Sequence, residues 1–425
     1  MTVSMASVVI FVIVLILMVI RPRGISEAWP AMIGGILMIA IGRVTPAVAF
    51  DALAENLSLF GFFLGLMVIA AIAEQAGFFA WTARMAVIRS GGSPTRLLVN
   101  IFIVGTVITA VLTNDATALV LTPVVYVLVT RLRLTAAPYV FACSFVADAA
   151  SFLLPVSNPV NLILLGPNET RLAPFLWHLL IPSFLVLLWN IAFFRWFFRA
   201  DLTGTVSVHD LPLDAHDPRF LRTVSILLAS IGVGYIAATS AGLPVAIVAL
   251  GGSAALIAAA IVHGHWRPRE TLRAISWPLF PFVGGMVLLV HGVESVTSGL
   301  AQWLFTLAEG STATGVFVTT FGVAIGANIV NNVPIALIAA AALNTMSATA
   351  SDRLAIHYAA VLGADLGPNI SVMGSLATML WLLMLRRRGL TISSLDYLRF
   401  GVLVTPPALL IGAIALWLSA ISWTG

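Results

Sequence analysis

The sequence predicts an all-α polytopic membrane protein with two inverted-topology repeats, about ten transmembrane helices, two re-entrant hairpins and two interrupted helices. Composition is the first reason. Of the 425 residues 60% are hydrophobic and 9% charged, with a mean hydropathy of +1.07, whereas soluble domains carry about 25% charged residues. The second is that every one of the 21 basic side chains is arginine, and they sort by side of the membrane. The third is that polar residues buried in apolar runs recur at one spacing in the two halves.

A bilayer core of ~30 Å takes roughly 20 apolar residues per helix. Such runs occur at 4–20, 28–42, 57–74, 135–165, 175–195, 222–240, 243–262, 276–293, 354–385 and 400–420. The first reads as a retained helix, because no charge precedes it and Arg21 and Arg23 follow it, the reverse of a signal peptide. With the amino terminus outside, 18 arginines (21, 23, 84, 89, 96, 131, 133, 195, 199, 219, 222, 267, 269, 273, 386, 387, 388 and 399) fall in the cytoplasm. Arg43, Arg171 and Arg353 fall outside, the asymmetry of the positive-inside rule. Topology therefore accounts for the pI near 9.8. No nucleic-acid partner is implied; the surrounding partner is the lipid bilayer.

That sorting requires 95–130 and 312–346 each to enter and leave on one side, as re-entrant hairpins. The stretch 77–92 reads as an interfacial amphipathic helix with Arg84 and Arg89 at lipid headgroups. The longest polar stretch, 200–222, marks a cytoplasmic linker at 201–221 between a first repeat, 1–200, and a second, 222–425. Within each repeat an interrupted helix follows the hairpin, at 135–165 and 354–385.

The first hairpin, "VLTNDATALVLTPVVYVLVT", carries Thr113, Asn114, Asp115 and Thr117 at its tip. Non-helical backbone at membrane depth is tolerated only when buried in protein or lining a cavity, and Asn114 or Thr117 alone would serve to satisfy it. A carboxylate at that depth is costly and points to function. The second tip, "GANIVNNVPIALI", places Asn331 and Asn332. Downstream lie "FVADAASFLLPVSNPVNLILL" and "VLGADLGPNISVMGSLATMLWLL". Asn114 precedes Asp148 by 34 residues and Asn331 precedes Asp365 by 34, so both pairs stand 217 apart. Pro155, Pro159 and Pro368 interrupt the two segments by removing backbone donors. Half-helix ends at the midplane, between inverted repeats, are where secondary transporters bind their cargo. The candidate binding residues are Thr113, Asn114, Asp115, Ser157, Asn158, Asn161, Asn331, Asn332, Asn369, Ser371 and Ser375, and the candidates for a coupled proton are Asp115, Asp148 and Asp365.

"TNDATALVLTPVV", "ADAASFLLPVSNPVNLI", "IVNNVP" and "GADLGPNISVMGSLATMLW" resemble stretches of the arsenite and antimonite efflux permeases of the ion transporter superfamily. The resemblance runs through essentially the whole chain in order. It implies proton-driven export of trivalent arsenic or antimony hydroxides, with or without a separate ATPase subunit. Relatives in the superfamily are often homodimers with a static scaffold and a moving transport domain, so an elevator-like motion is implied by analogy. After "DLGP" the family pattern has a basic residue and then Thr-Pro, where this chain has Asn369, Ser371 and Val372.

Trivalent arsenic at neutral pH is an uncharged trihydroxide. Capture by thiolates would need two or three cysteines, and the chain has one, Cys143, which reads as a small apolar filler. Binding would then rest on amides, hydroxyls and carboxylates. No cofactor or metal site is expected: His263 and His265 lie in a loop without ligand spacing to a carboxylate or cysteine. An enzyme is not expected, since HExxH and GxxxxGK[ST] are both missing from the sequence. Glu74 reads as a solvated helix end, and His291 and Glu294 lie near the outer end of a helix, where a role in proton exit competes with a surface position. Gly61 with Gly65 and Gly322 with Gly326 match GxxxG, a weak contact signal among 33 glycines. A sodium/proton antiporter on the same scaffold stays open, because Asp115 with Asn114, Asn331 and Asn332 could equally ligate Na⁺.

Overall fold

The computed structural model describes residues 3–20, 26–169, 172–205, 217–293, 311–344 and 350–422. Regular structure among them is entirely helical. The helices are α1 (Val3–Ile20), α2 (Ala28–Ala40), α3 (Pro46–Glu55), α4 (Leu57–Gln75), α5 (Phe78–Arg89), α6 (Pro94–Val111), α7 (Thr122–Arg131), α8 (Ala137–Ala149), α9 (Pro159–Glu169) and α10 (Leu172–Phe197). The second half holds α11 (Pro218–Ala241), α12 (Val245–Val262), α13 (Pro268–Ala274), α14 (Leu279–Gly292), α15 (Thr312–Val330), α16 (Asn332–Asn344), α17 (Ala350–Leu366), α18 (Leu376–Arg387) and α19 (Ser394–Ser422). Arg21, Arg23, Arg171, Glu294 and linker positions 206–216 lie outside the described residues.

Helix starts follow local chemistry. Ser93 and Asp217 each stand before a proline at the first helical position, and their side chains accept from Arg96 N and Arg219 N at 3.3 and 2.9 Å, which satisfies an orphan donor of the first turn. Thr45 does the same for α3, a short helix between the apolar runs at 28–42 and 57–74. α11 stops at Gly242, whose φ of +68° is left-handed.

Among the described residues eight helical stretches are long and apolar enough to cross a membrane, the hairpin arms α6 and α15 and the joined α13–α14 stretch Pro268–Gly292 among them. Length therefore does not distinguish a full crossing from a hairpin arm. The distinction comes from the chain reversal after each arm: α6 reverses at residues 112–115 and α15 at Asn331, after which residues 116–121 pack back on α6 and α16 packs back on α15. The expected span at 135–165 is divided into α8 and α9 by residues 150–158, and the one at 354–385 into α17 and α18 by residues 367–375.

Element positions repeat at the 217-residue offset. Short 3₁₀ turns sit at Pro155–Ser157 and Val372–Gly374, and the helices that follow start at Pro159 and Leu376. α2 packs along α14 as α4 packs along α12. These helices approach closely because glycine stands at the contact. A β-carbon on Gly35 would lie 3.0 Å from the Gly285 carbonyl oxygen, and one on Gly65 would lie 2.6 Å from the Ala249 backbone. α1, α2 and α14 pack together, as do α4, α11 and α12, and α3 bridges these two clusters into a first group; α6 to α10 and α15 to α19 form the second, with sparser contact between the groups. Large apolar side chains such as Ile13, Ile181, Phe184, Val233, Ile247, Leu403 and Leu410 are exposed, the surface a lipid-facing protein presents.

Aromatic packing binds the second group at one end. The Phe400 ring of α19 lies 4.9 Å from Phe197, 5.0 Å from Phe194 and 5.1 Å from both Phe141 and Phe145. This ties α8, α10 and α19 together. Tyr126 Oη donates to Arg388 O at 3.1 Å and Arg388 returns a bond to Pro123 O, which ties the arginine-bearing end of α18 to the first turns of α7. α5 packs on α6 through Phe79, Ala83, Ala86 and Val87; Arg89 is exposed while Arg84 is half-buried.

Candidate functional site

The first hairpin turns at Leu112 to Asp115 and returns through a π-helical stretch, Ala116–Leu121, before α7. π turns are rare and concentrate at functional sites. Pro123 sits just inside α7 and lacks the donor that regular geometry would use. Thr113 Oγ1 accepts from Ala116 N at 3.2 Å, and Asn114 Oδ1 from Asp115 N at 3.0 Å. Thr117 is structural: its hydroxyl meets Thr109 Oγ1 at 2.8 Å and the Gly105 carbonyl at 3.4 Å.

The second tip is strained. Asn331 has φ 78° and ψ 159°, a region occupied almost only by glycine and costing about 1–3 kcal/mol. Its Oδ1 accepts from Val333 N at 3.5 Å, and its buried Nδ2 has no hydrogen-bond partner among the described residues. Asn332, the 217-offset counterpart of Asp115, is buried beside it.

The two interrupted helices meet in a polar centre. Asn158, at the start of α9, donates through Nδ2 to Asp365 Oδ1 of α17 at 2.6 Å. Asn158 Oδ1 also accepts from Val160 N at 3.1 Å. Ser151 and Asn161 lie near the same carboxyl, but Ser151 Oγ donates to Asp148 O at 2.8 Å and Asn161 Nδ2 to Ser151 O at 2.8 Å, and Asp365 Oδ2 has no hydrogen-bond partner among the described residues. Asp148 of α8 faces the Asn114 amide and lies within electrostatic reach of both Asp365 and Asp115. Asp148 and Asp365 are 4% and 0% exposed. Among the described residues none of the three carboxylates forms an ion pair within 4.0 Å. Two buried acids beside a third that is half-buried, with no ion pair among the described residues, require a proton, a cation or a strong hydrogen-bond donor among them.

The sequence-selected residues thus separate into groups. Thr113, Asn114, Asp115, Asp148, Asn158, Asn161 and Asp365 come together. Ser157 donates to Ala110 O at 3.5 Å and braces the first hairpin against its interrupted helix. Ser375 caps α18, accepting from Thr378 N at 3.3 Å. Asn369 Nδ2 donates to Phe145 O at 3.3 Å. Ser371 donates to Asn328 Oδ1 at 2.7 Å, while Asn328 Nδ2 donates to Gly367 O at 2.7 Å. Asn328 and Ser151 were not selected from sequence. Asn328 lies three residues before the repeated Asn pair, and its counterpart at the 217 offset is Val111, so the comparison of halves passed over it.

Asp115 opens onto a cavity of about 230 Å³ between the first tip, α4 and the segment after α13. A second cavity, about 300 Å³, lies between the start of α4, the α11–α12 turn, α9 and α16. Cys143 is buried on α8 beside Thr122. His291 is exposed at the end of α14, its Nδ1 3.0 Å from Val287 O.

The chain matches the family described as "Arsenical pump membrane protein" over residues 6–420. It is 32% identical over 428 residues to an arsenical pump membrane protein of Yersinia enterocolitica, covering 96% of this chain and 98% of that one. A namesake from Escherichia coli is 30% identical over 430 residues with the same coverage. In fold the chain is similar to the Alcanivorax borkumensis YdaH transporter, with a TM-score of 0.57 at 16% identity over 86% of each chain. It is also similar to Neisseria gonorrhoeae MtrF, with a TM-score of 0.51 at 11% identity over 89% of this chain and 85% of that one. The resemblance carried by the hairpin and interrupted-helix blocks is thereby upheld: this is a multi-pass inner-membrane transport protein, and the chain belongs to the arsenical pump membrane protein family.

Proposed function

We propose that the chain exports trivalent arsenite and antimonite hydroxides in exchange for protons, as a secondary transporter without enzymatic activity. The observation that carries the reading is the Asp115, Asp148 and Asp365 cluster, set among Asn114, Asn158 and Asn161 where the hairpin and the interrupted helices meet. A neutral trihydroxide offers hydroxyl donors that suit carboxylates and amide oxygens. Protons arriving from outside occupy those same acceptors and displace it. Competition for one set of acceptors is the simplest coupling rule.

The 217-residue correspondence supports two repeats, 1–200 and 222–425, inverted by the arginine sidedness. The group of α1, α2, α4, α11, α12 and α14 serves as the fixed scaffold, and the group carrying hairpins and interrupted helices moves the cargo past it, as in elevator-like relatives. A homodimer and an optional ATPase subunit fit this scheme.

The experiment is transport into everted vesicles under an imposed pH gradient, with arsenite, antimonite and sodium compared. Uptake of arsenite or antimonite that collapses with a protonophore supports the reading. Sodium movement without arsenite movement overturns it in favour of sodium/proton exchange, which carboxylates without an ion pair would also serve.

A further inference from the structure

The cavity beside Asp115 is bounded on the α4 side by Phe63, Leu66, Met67, Ala70, Ala71 and Glu74. They stand at i, i+3, i+4, i+7, i+8 and i+11, one continuous helix face. At 1.5 Å per residue it is roughly 16 Å long. Five of the six are apolar; the sixth, Glu74, stands at the α4 end that carries the Gln75 to Thr271 bond. Thr113 and Asp115 close the cavity at the hairpin tip, and Ala274, Ser276 and Leu279 close it beside Glu74. Its walls are therefore largely apolar and include two carboxylates, Asp115 from the hairpin tip and Glu74 from the last turn of that α4 face.

Packing holds the mouth in place. Gln75 Nε2 donates to Thr271 Oγ1 at 3.0 Å, fixing α13 against α4. The neighbouring acid, Glu270, pairs with Arg267 at 3.3 Å, whereas Glu74 has no ion pair within 4.0 Å among the described residues. Glu74 is exposed, so it meets solvent and cavity at once. It lies on the scaffold side of the cavity, and Asp115 on the hairpin side.

We propose that Glu74 is a positioning residue for the cytoplasmic approach of the cargo: its carboxylate accepts from the hydroxyls of a small hydroxide at the mouth and hands it to Asp115 at the tip. The inference rests on the proposed function and adds a scaffold residue to the path. A role as a mere surface charge would leave cargo affinity unchanged.

Two measurements test it. In everted vesicles Glu74→Ala should raise KM about tenfold, the effect of losing one hydrogen bond to a charged acceptor, with kcat within twofold; Glu74→Asp should recover most of the affinity. An unchanged KM, or a fall in kcat with KM constant, overturns the proposal. In a Cys143→Ser background, Ala70→Cys should react with a membrane-impermeant maleimide from the cytoplasmic face and not from the outer face. Labelling only from outside, or none under denaturant-validated conditions, also overturns it. The kinetic arm uses whichever species the unaltered protein moves, so a wrong cargo shows in the unaltered protein and a wrong role for Glu74 only in the variants.

Discussion

Asp365 and Asn331 show two ways a side chain is committed to a site. Asp365 is fully buried and takes a 2.6 Å bond from Asn158 across the two interrupted helices. Asp365→Asn and Asp115→Asn are each expected to cut proton-driven efflux by at least about a hundredfold, the contribution of a placed proton-transfer group; amounts in the membrane should not change. Full rates from both would remove these carboxylates from the mechanism. Asn331 instead holds a backbone conformation suited to glycine. Asn331→Gly is therefore expected to raise thermal stability in detergent, by about 1 kcal/mol of relieved strain, while weakening transport through the missing amide. A glycine variant less stable than the parent would mean that the amide itself holds the tip. Cys143→Ser should still transport, since the thiol is buried against Thr122 outside the polar centre.

The helices owe their arrangement to small residues at a few contacts. Of the two GxxxG matches, Gly61 and Gly65 do meet a partner, Leu250 and Ala249 of α12, whereas Gly322 faces open space among the described residues and the nearest neighbour of Gly326 is Ile335 of its own hairpin. Gly65→Leu should lower the melting temperature sharply, because backbone rather than a flexible side chain occupies the space. Gly322→Leu should be close to neutral, and comparable losses from both would contradict this assignment of the contacts. The hairpins were legible as hairpins only through arginine sidedness, since α6 and α15 are long enough to cross outright. The π-helical return after Asp115 was not read from the sequence, although Pro123, which lacks a backbone donor, sits just beyond it.

For the molecule as a whole, two helix groups with cavities at opposite ends of their shared surface suggest relative motion. Leu59 of α4 and Ile163 of α9 line the same cavity from the two groups. Joining cysteines placed there with a bifunctional maleimide should stop transport, and reductive release of a cleavable linker should restore it; activity in the joined state would exclude sliding at that surface. Exchange of an uncharged hydroxide for protons carries one positive charge inward per proton. Efflux should therefore respond to membrane potential at equal pH, by about 2.3 kcal/mol per charge per 100 mV, and a potential-independent rate would argue against this stoichiometry.

Composition and arginine placement sufficed for a membrane-embedded helical protein, because hydropathy and charge asymmetry are properties of the chain that the bilayer reads directly. The equal spacing from Asn114 to Asp148 and from Asn331 to Asp365 likewise located both polar breaks before any coordinates. Which polar groups actually meet could not be obtained that way. Asn158 and Asp365 are 207 residues apart, Asn328 reaches Gly367 from another helix, and Glu74 shares a cavity with Asp115 only through the packing of α4 on the hairpin. Such pairings follow from close approach at Gly35, Gly65 and the Phe400 cluster, where three-dimensional packing, not local sequence, sets which faces turn inward.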